Sequence, residues 1–273
     1  MLTVTIRWIL KLAAILIVGP VIGWMLSGLV APDGGSGHTL MVSGTPVLGL
    51  ALGVVAILIA TLFGLITLRL STLRLALFNM GVILAWAAWS TGRLNEVVRH
   101  TADAGVMNKL AIEALVLSVA TAVGVWLVIR TGGRHTAEER GRRLDSRTPA
   151  AMLTALIAGG AAAFVVARSD AVGQTFFAAA AAGFAAVTLA RIIAHECPLV
   201  PLVATACLLG VVSPVAAGVL SGSGLRADVY SGEILALGRI MPFDWIAGIL
   251  IGAPIGSHLA HSVTEKHVEE QNA

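Results

Sequence analysis

The sequence predicts an all-α fold: a polytopic membrane bundle of about eight transmembrane helices, with both termini in the cytoplasm. Three observations carry that prediction. Hydrophobic residues make up 57% of the chain, charged residues only 12%, and the mean hydropathy is +0.91, against about 45–50% apolar and about 25% charged in a soluble domain. The apolar residues fall into separate runs near 20 residues long, the length that crosses a hydrocarbon layer about 30 Å thick. The runs are apolar on every side, whereas a barrel strand would show about ten residues of alternating polarity.

The first run spans about Trp8 to Val30. Arg7 and Lys11 before it and Ala31 after it resemble the parts of a cleaved signal, but Leu12 to Val30 exceeds the usual core of about 7–15 residues, so a retained span is expected. The second run (Val47 to Leu68) and the third (Leu73 to Ser90) are separated only by "RLSTLR" and predict a tight helical hairpin. The fourth covers about Leu110 to Ile129, the fifth Ala150 to Ala167, the sixth Val172 to Ala194, the seventh Pro198 to Leu220 and the eighth Pro242 to Ser262.

Basic loops stay in the cytoplasm. With the N-terminus inside, that side holds Arg7, Lys11, Arg69, Arg74, Arg130, Arg134, Arg140, Arg142, Arg143, Arg147, Arg191 and Lys266, 12 of 18 basic residues. Arg93, Arg99, Lys109, Arg168, Arg226 and Arg239 fall on the other side. The segment "RTGGRHTAEERGRRLDSR" is the strongest topology signal and divides the chain into a four-helix half at 1–129, an Arg-rich cytoplasmic loop at 130–148 and a second four-helix half at 149–273. An even number of spans per half would make a duplication parallel, and no residue-level repeat supports one. A bacterial-type inner membrane is the expected location. The net charge of +3 comes from these loops rather than from a basic face, so no nucleic-acid partner is expected. Cys197 and Cys207 are ten residues apart, too far along a helix to bond to each other.

Two outer loops read as partly ordered, either as helices at the membrane surface or, equally, as short re-entrant or irregular loops. "LNEVVRHTA" puts Leu94, Val97 and Val98 on one face, and 229–240 holds Tyr230, the only tyrosine. Both could lie flat on the bilayer.

Lipid tails are as apolar as leucine, so helices associate in a bilayer through close packing, which small residues permit. Gly248, Gly252 and Gly256, continued by Ala260, form one narrow stripe, and the spacing recurs at Gly19 and Gly23, at Gly49 and Gly53, and at Ala155, Gly159 and Ala163. Packing within the bundle is the plainer expectation; a homo-oligomer contact or a seat in a larger membrane complex is the sharper one.

Polar groups at membrane depth are costly and mark function by default. Glu113, Asn79 and Gln174, with the helix-interrupting Pro254, are the candidates for a transport path. Lys109, one turn before Glu113, offers that carboxylate a partner. His258 and His261 share a face opposite the glycine stripe, and "RIIAHECP" brings His195, Glu196 and Cys197 to the same membrane level. Imidazole and thiolate are metal ligands, so His195, Cys197, His258 and His261 are candidates for a metal or haem site, although no metal-site spacing is present. "SGSG" at 221–224 is not a serine-protease signature, and the outer cluster of Glu96, Arg99, His100 and Asp103 suits acid–base work less well than a solvated helix face.

No enzyme activity and no cofactor are expected on these grounds. A small permease or channel-like transport component is the first expectation, on the general ground of a polytopic chain of this size rather than on a motif; the scarcity of buried charge and the small-residue stripes favour an accessory subunit. The alternatives are a non-catalytic accessory subunit of a larger membrane complex, and a metal- or haem-binding membrane protein.

Overall fold

A computed structural model describes residues 2–100, 105–137, 139 and 142–272, with side chains described for 4–99, 105–133, 136, 137, 139 and 142–263. The chain is 82% helical, no strand occurs among the described residues, and eight helices are long and apolar enough to cross a membrane. The protein is therefore an all-α polytopic bundle.

The first span consists of α1 (Leu2–Ala13), a π-helical turn (Ala14–Val18) and α2 (Gly19–Ser27). The wide turn has a local cause. Pro20 has no N–H to donate to the carbonyl four residues earlier, and the ladder widens there, with the Gly19 N–H donating to the Ala14 carbonyl. The next spans are α3 (Pro46–Leu70) and α4 (Leu73–Ser90), joined at a sharp turn where the Thr72 side chain accepts the Leu75 N–H and caps α4. A short α5 (Leu94–His100) precedes α6 (Gly105–Thr131). The second group comprises α7 (Thr148–Val166), α8 (Val172–Ile193), α9 (Leu199–Ser221), the short α10 (Leu225–Ser231) and α11 (Pro242–Asn272).

The last helix stands at the centre. Every residue from Met241 to Leu250 is buried, and α11 packs against α4 and α6 from the first group and against α8 and α9 from the second. The glycine stripe explains how α8 comes so close. A Cβ on Gly248 would lie 2.6 Å from Ala180 N, one on Gly256 2.7 Å from Thr188 Oγ1, and one on Gly252 would collide with the Ala180 carbonyl oxygen. Gly183 answers from α8, where a Cβ would sit 2.7 Å from Ile249 Cα. Gly19 and Gly23 lie against Trp86 and Ser90 of α4. Gly49 and Gly53 receive Leu40, from the loop after α2, rather than another helix.

The connections alternate between two ends, as an even sequence of crossings requires. At one end Arg7 Nε donates to Ser71 Oγ at 3.2 Å, and Arg191 reaches Glu139. At the other end the Gly92 N–H donates to the His38 carbonyl at 2.6 Å, Arg239 donates to the Arg168 carbonyl, and Tyr230 Oη donates to the Asn95 carbonyl at 3.4 Å.

Both predicted outer helices differ from expectation in placement. Leu94, Val97 and Val98 do share one face of α5, but that face is buried against Val42, Met107 and Leu225 and does not lie flat on lipid. The segment 229–240 is not one helix. It closes α10 at Ser231, turns at Gly232 with φ of 77°, a left-handed conformation glycine adopts at no steric cost, and resumes as a 3₁₀ turn at Ala236–Arg239.

Candidate functional site: a cationic cavity at the basic end

The end that gathers Arg7, Arg74 and Arg191 contains a cavity of about 640 Å³. Arg7 and Lys11 reach it from α1, Arg74 from the start of α4, Arg142 from the segment before α7, and His258 and His261 from α11. Among the described residues Glu139 is the one acidic side chain in its wall, against five Arg and Lys residues. Deeper in, Leu77, Phe78 and Pro254 supply an apolar lining, with Ile255 beside them. Arg74, His258 and His261 are exposed while Leu77 and Pro254 are buried, so the cavity joins the surface to the membrane-spanning part of the bundle.

Arg191 is the electrostatic centre of this region. It is only 3% exposed, and a guanidinium at that depth requires partners. Its Nη2 donates to both carboxylate oxygens of Glu139 at 2.6 and 2.7 Å, and its Nη1 donates to Ser257 Oγ on α11. Arg191 Nε is buried and has no hydrogen-bond partner among the described residues. Glu139 also accepts the Leu199 N–H at 3.3 Å, which places a carboxylate at the positive N-terminal end of α9. Arg142 Nε stands 3.8 Å from Glu139 Oε1. The arrangement holds one negative charge among several positive ones and can accept another anion. Its apolar depth suits a ligand that is charged at one end only.

Two membrane-depth carboxylates have structural partners instead. Glu113 is 1% exposed and accepts the Met41 N–H at 2.9 Å. It thereby holds the loop after α2, whose residues His38 to Leu40 are buried, while Lys109 is exposed. Asp244, missed in the sequence, is 3% exposed, and its Oδ2 accepts the Met241 N–H at 3.4 Å. A carboxylate three residues after a helix cap is the capping-box spacing, which "MPFD" carries in plain view.

The remaining candidates are dispersed. Asn79 Nδ2 donates to Thr67 Oγ1 at 3.3 Å, tying α4 to α3. Gln174 Nε2 donates to the Val166 carbonyl at 2.9 Å, at the end opposite the cavity. Of the four transport-path residues only Pro254 lines the cavity. His195 and Glu196 are largely exposed and pair with each other at 3.2 Å. Cys197 is buried, and burial pushes its thiol up against the opposing pull of the Arg191 charge. His258 and His261 face the cavity. Although α8 and α11 touch, no three His, Cys, Asp or Glu side chains among the described residues converge closely enough to hold a metal ion. Asp103 and the side chains of His100, Arg134, Arg140 and Lys266 lie outside the described residues.

Arg191 itself reads in the sequence as one more topology charge. The signal that separates it is position: Ile192 and Ile193 follow it, so it enters the apolar run instead of flanking it. Against known proteins, no family model, curated protein or solved structure matches the chain.

Proposed function

We propose that the protein is a small permease-type transport component of a bacterial-type cytoplasmic membrane, loaded from its basic, cytoplasmic end and performing no catalytic step. The observation that carries this reading is the difference between its two ends. A cavity of about 640 Å³ leads from exposed arginine and histidine side chains to Pro254 at one end. At the other, the loop after α2 is drawn into the bundle and anchored on Glu113. A transport cycle needs one end open while the other is closed, and this buried loop, held by Glu113, by the Gly92 N–H on the His38 carbonyl and by Leu40 against Gly49 and Gly53, is the element that would have to be released.

The accessory-subunit reading draws on a different observation. Phe243 and Trp245 of the central helix fill the interior, each about 1% exposed, and both deep carboxylates already hold backbone groups. Labelling separates the two readings. A cycling component exposes Leu40→Cys intermittently to a membrane-impermeant maleimide from the outer face, at a rate slower than the exposed Ser36→Cys. A static subunit leaves Leu40→Cys unlabelled while Ser36→Cys reacts at once, and that result removes the transport reading.

A further inference from the structure

We infer that the cavity at the basic end binds the phosphate group of an anionic amphiphile. Arg191 and the rim cations Arg7, Lys11 and Arg74 take the phosphate, and Leu77, Phe78 and Ile255 take the apolar part. The inference rests on reading this cavity as the loading site of a transport component only for its meaning in a cycle; binding is measured at equilibrium, without flux, so the two can fail separately.

Three features of the site point to this class of ligand. The first is charge. Among the described residues five Arg and Lys side chains and one carboxylate line the cavity, and planar guanidinium groups match the spacing of phosphate oxygens and donate more than one hydrogen bond to them. The second is the state of Arg191. It is almost wholly buried, it lines the cavity, and its Nε has no partner among the described residues. A buried charged donor left in that state has a strong tendency to take up an acceptor. Glu139 shows that the place accepts an anion, because its carboxylate already occupies Nη2 of the same guanidinium. The third is the wall. A site for a free inorganic anion would be polar throughout, whereas buried Leu75, Leu77 and Pro254 continue this cavity inward from the charged rim. A phosphate at the rim with a hydrocarbon portion along Phe78 and Ile255 satisfies both parts.

The test is isothermal titration of the full-length protein in a nonionic detergent with three probes: dihexanoyl phosphatidic acid, dihexanoyl phosphatidylcholine and inorganic phosphate. Phosphatidic acid is expected to bind once per chain, and the choline lipid, whose cation opposes the cavity's charge, at least about tenfold more weakly. Because Arg191 substitutions threaten folding, the variants alter the rim. Arg7→Gln and Arg74→Gln each weaken phosphatidic acid binding by about tenfold, the value of one charge-assisted contact. Arg69→Gln, equally exposed at the same end but outside the cavity, leaves it unchanged, and Glu139→Gln tightens it. Equal binding of the two lipids, or equal loss with Arg69→Gln and Arg74→Gln, means ordinary attraction of lipid headgroups and overturns the inference. Inorganic phosphate binding as tightly as phosphatidic acid overturns the amphiphile and leaves a free phosphate site.

Discussion

Replacing Gly252 by alanine tests the closest approach in the bundle. Alanine is the better helix former by about 1 kcal/mol, so in a helix with room to spare the change stabilises. At Gly252 there is none: the added methyl would strike the Ala180 carbonyl oxygen and lie 2.6 Å from Phe184 N and 3.0 Å from Ala180 C. These are main-chain atoms of α8 and cannot rotate away as a side-chain tip would. Relief must come from moving α8 and α11 apart along a contact that also includes Gly248, Gly256 and Gly183. Overpacking of this kind costs about 1–3 kcal/mol, and a rigid backbone places the cost near the top of that range. The net expectation is a loss of about 1–2 kcal/mol. Gly160→Ala is the control, since its Cβ would meet only Leu209 Cδ2 at an ordinary 3.5 Å; it should be neutral or stabilise by up to about 1 kcal/mol. Unfolding in mixed micelles by titration with dodecyl sulfate, followed by tryptophan fluorescence, reads both. Trp245, 1% exposed, reports on the centre of the bundle. If Gly252→Ala matches Gly160→Ala in stability, the helices are not in main-chain contact and the central placement of α11 fails.

Two further perturbations address the charged groups. Arg191→Met strands Glu139 at the end of α9 and should cost about 3 kcal/mol, whereas Arg191→Met with Glu139→Met should recover most of it, because removing a whole buried pair is far milder than removing half; the same micelle titration measures both. Glu113→Ala deprives the Met41 N–H of its acceptor and should cost about 1–3 kcal/mol, with faster proteolysis of 31–45 in the folded protein, while Glu113→Gln, which retains an acceptor oxygen, should lose less.

The fold was legible because lipid simplifies the problem. A run of about 20 apolar residues can satisfy its backbone in a bilayer only as a helix, and the arginine-rich stretch from Arg130 to Arg147 separates the fourth span from the fifth. The order in which those helices pack was not legible. The span at 242–263 stands out by its glycine stripe and lower hydropathy, but that pattern does not say which helices pack on it; the buried faces on several sides emerge only when α4, α6, α8 and α9 close around it. The outer elements failed in part for the same reason. The pattern of Leu94, Val97 and Val98 declared an apolar face but not whether lipid or protein would cover it. The chemistry was the least legible. Glu113 was recognisable as a carboxylate at membrane depth, yet its partner is not Lys109 but a backbone amide 72 residues away in sequence, and backbone amides carry no sequence signature. Arg191 was hidden among topology charges, because a positive charge that orients a chain and one that builds a site are the same residue type until depth is known.

Depth and sidedness can be measured together, and the protein's own cysteines make the experiment clean. Cys197 and Cys207 are both 0% exposed and unpaired with each other. The thiolate is the reactive species, and for Cys197 burial raises the thiol further above neutral pH, so the unmodified chain should resist an impermeant maleimide in the native state and react only after unfolding. Single cysteines can therefore be added without removing the native pair. Arg74→Cys and Arg143→Cys stand exposed at the basic end, and Ser36→Cys and Arg226→Cys at the other. In right-side-out vesicles the second pair should label at once and the first only after the membrane is opened, while inverted vesicles should reverse the order. Labelling of Arg74→Cys and Ser36→Cys from one and the same side would mean that the second span, Pro46–Leu70, does not cross. The cavity, whose wall combines the first span with the start of α4, could not then open to the cytoplasm.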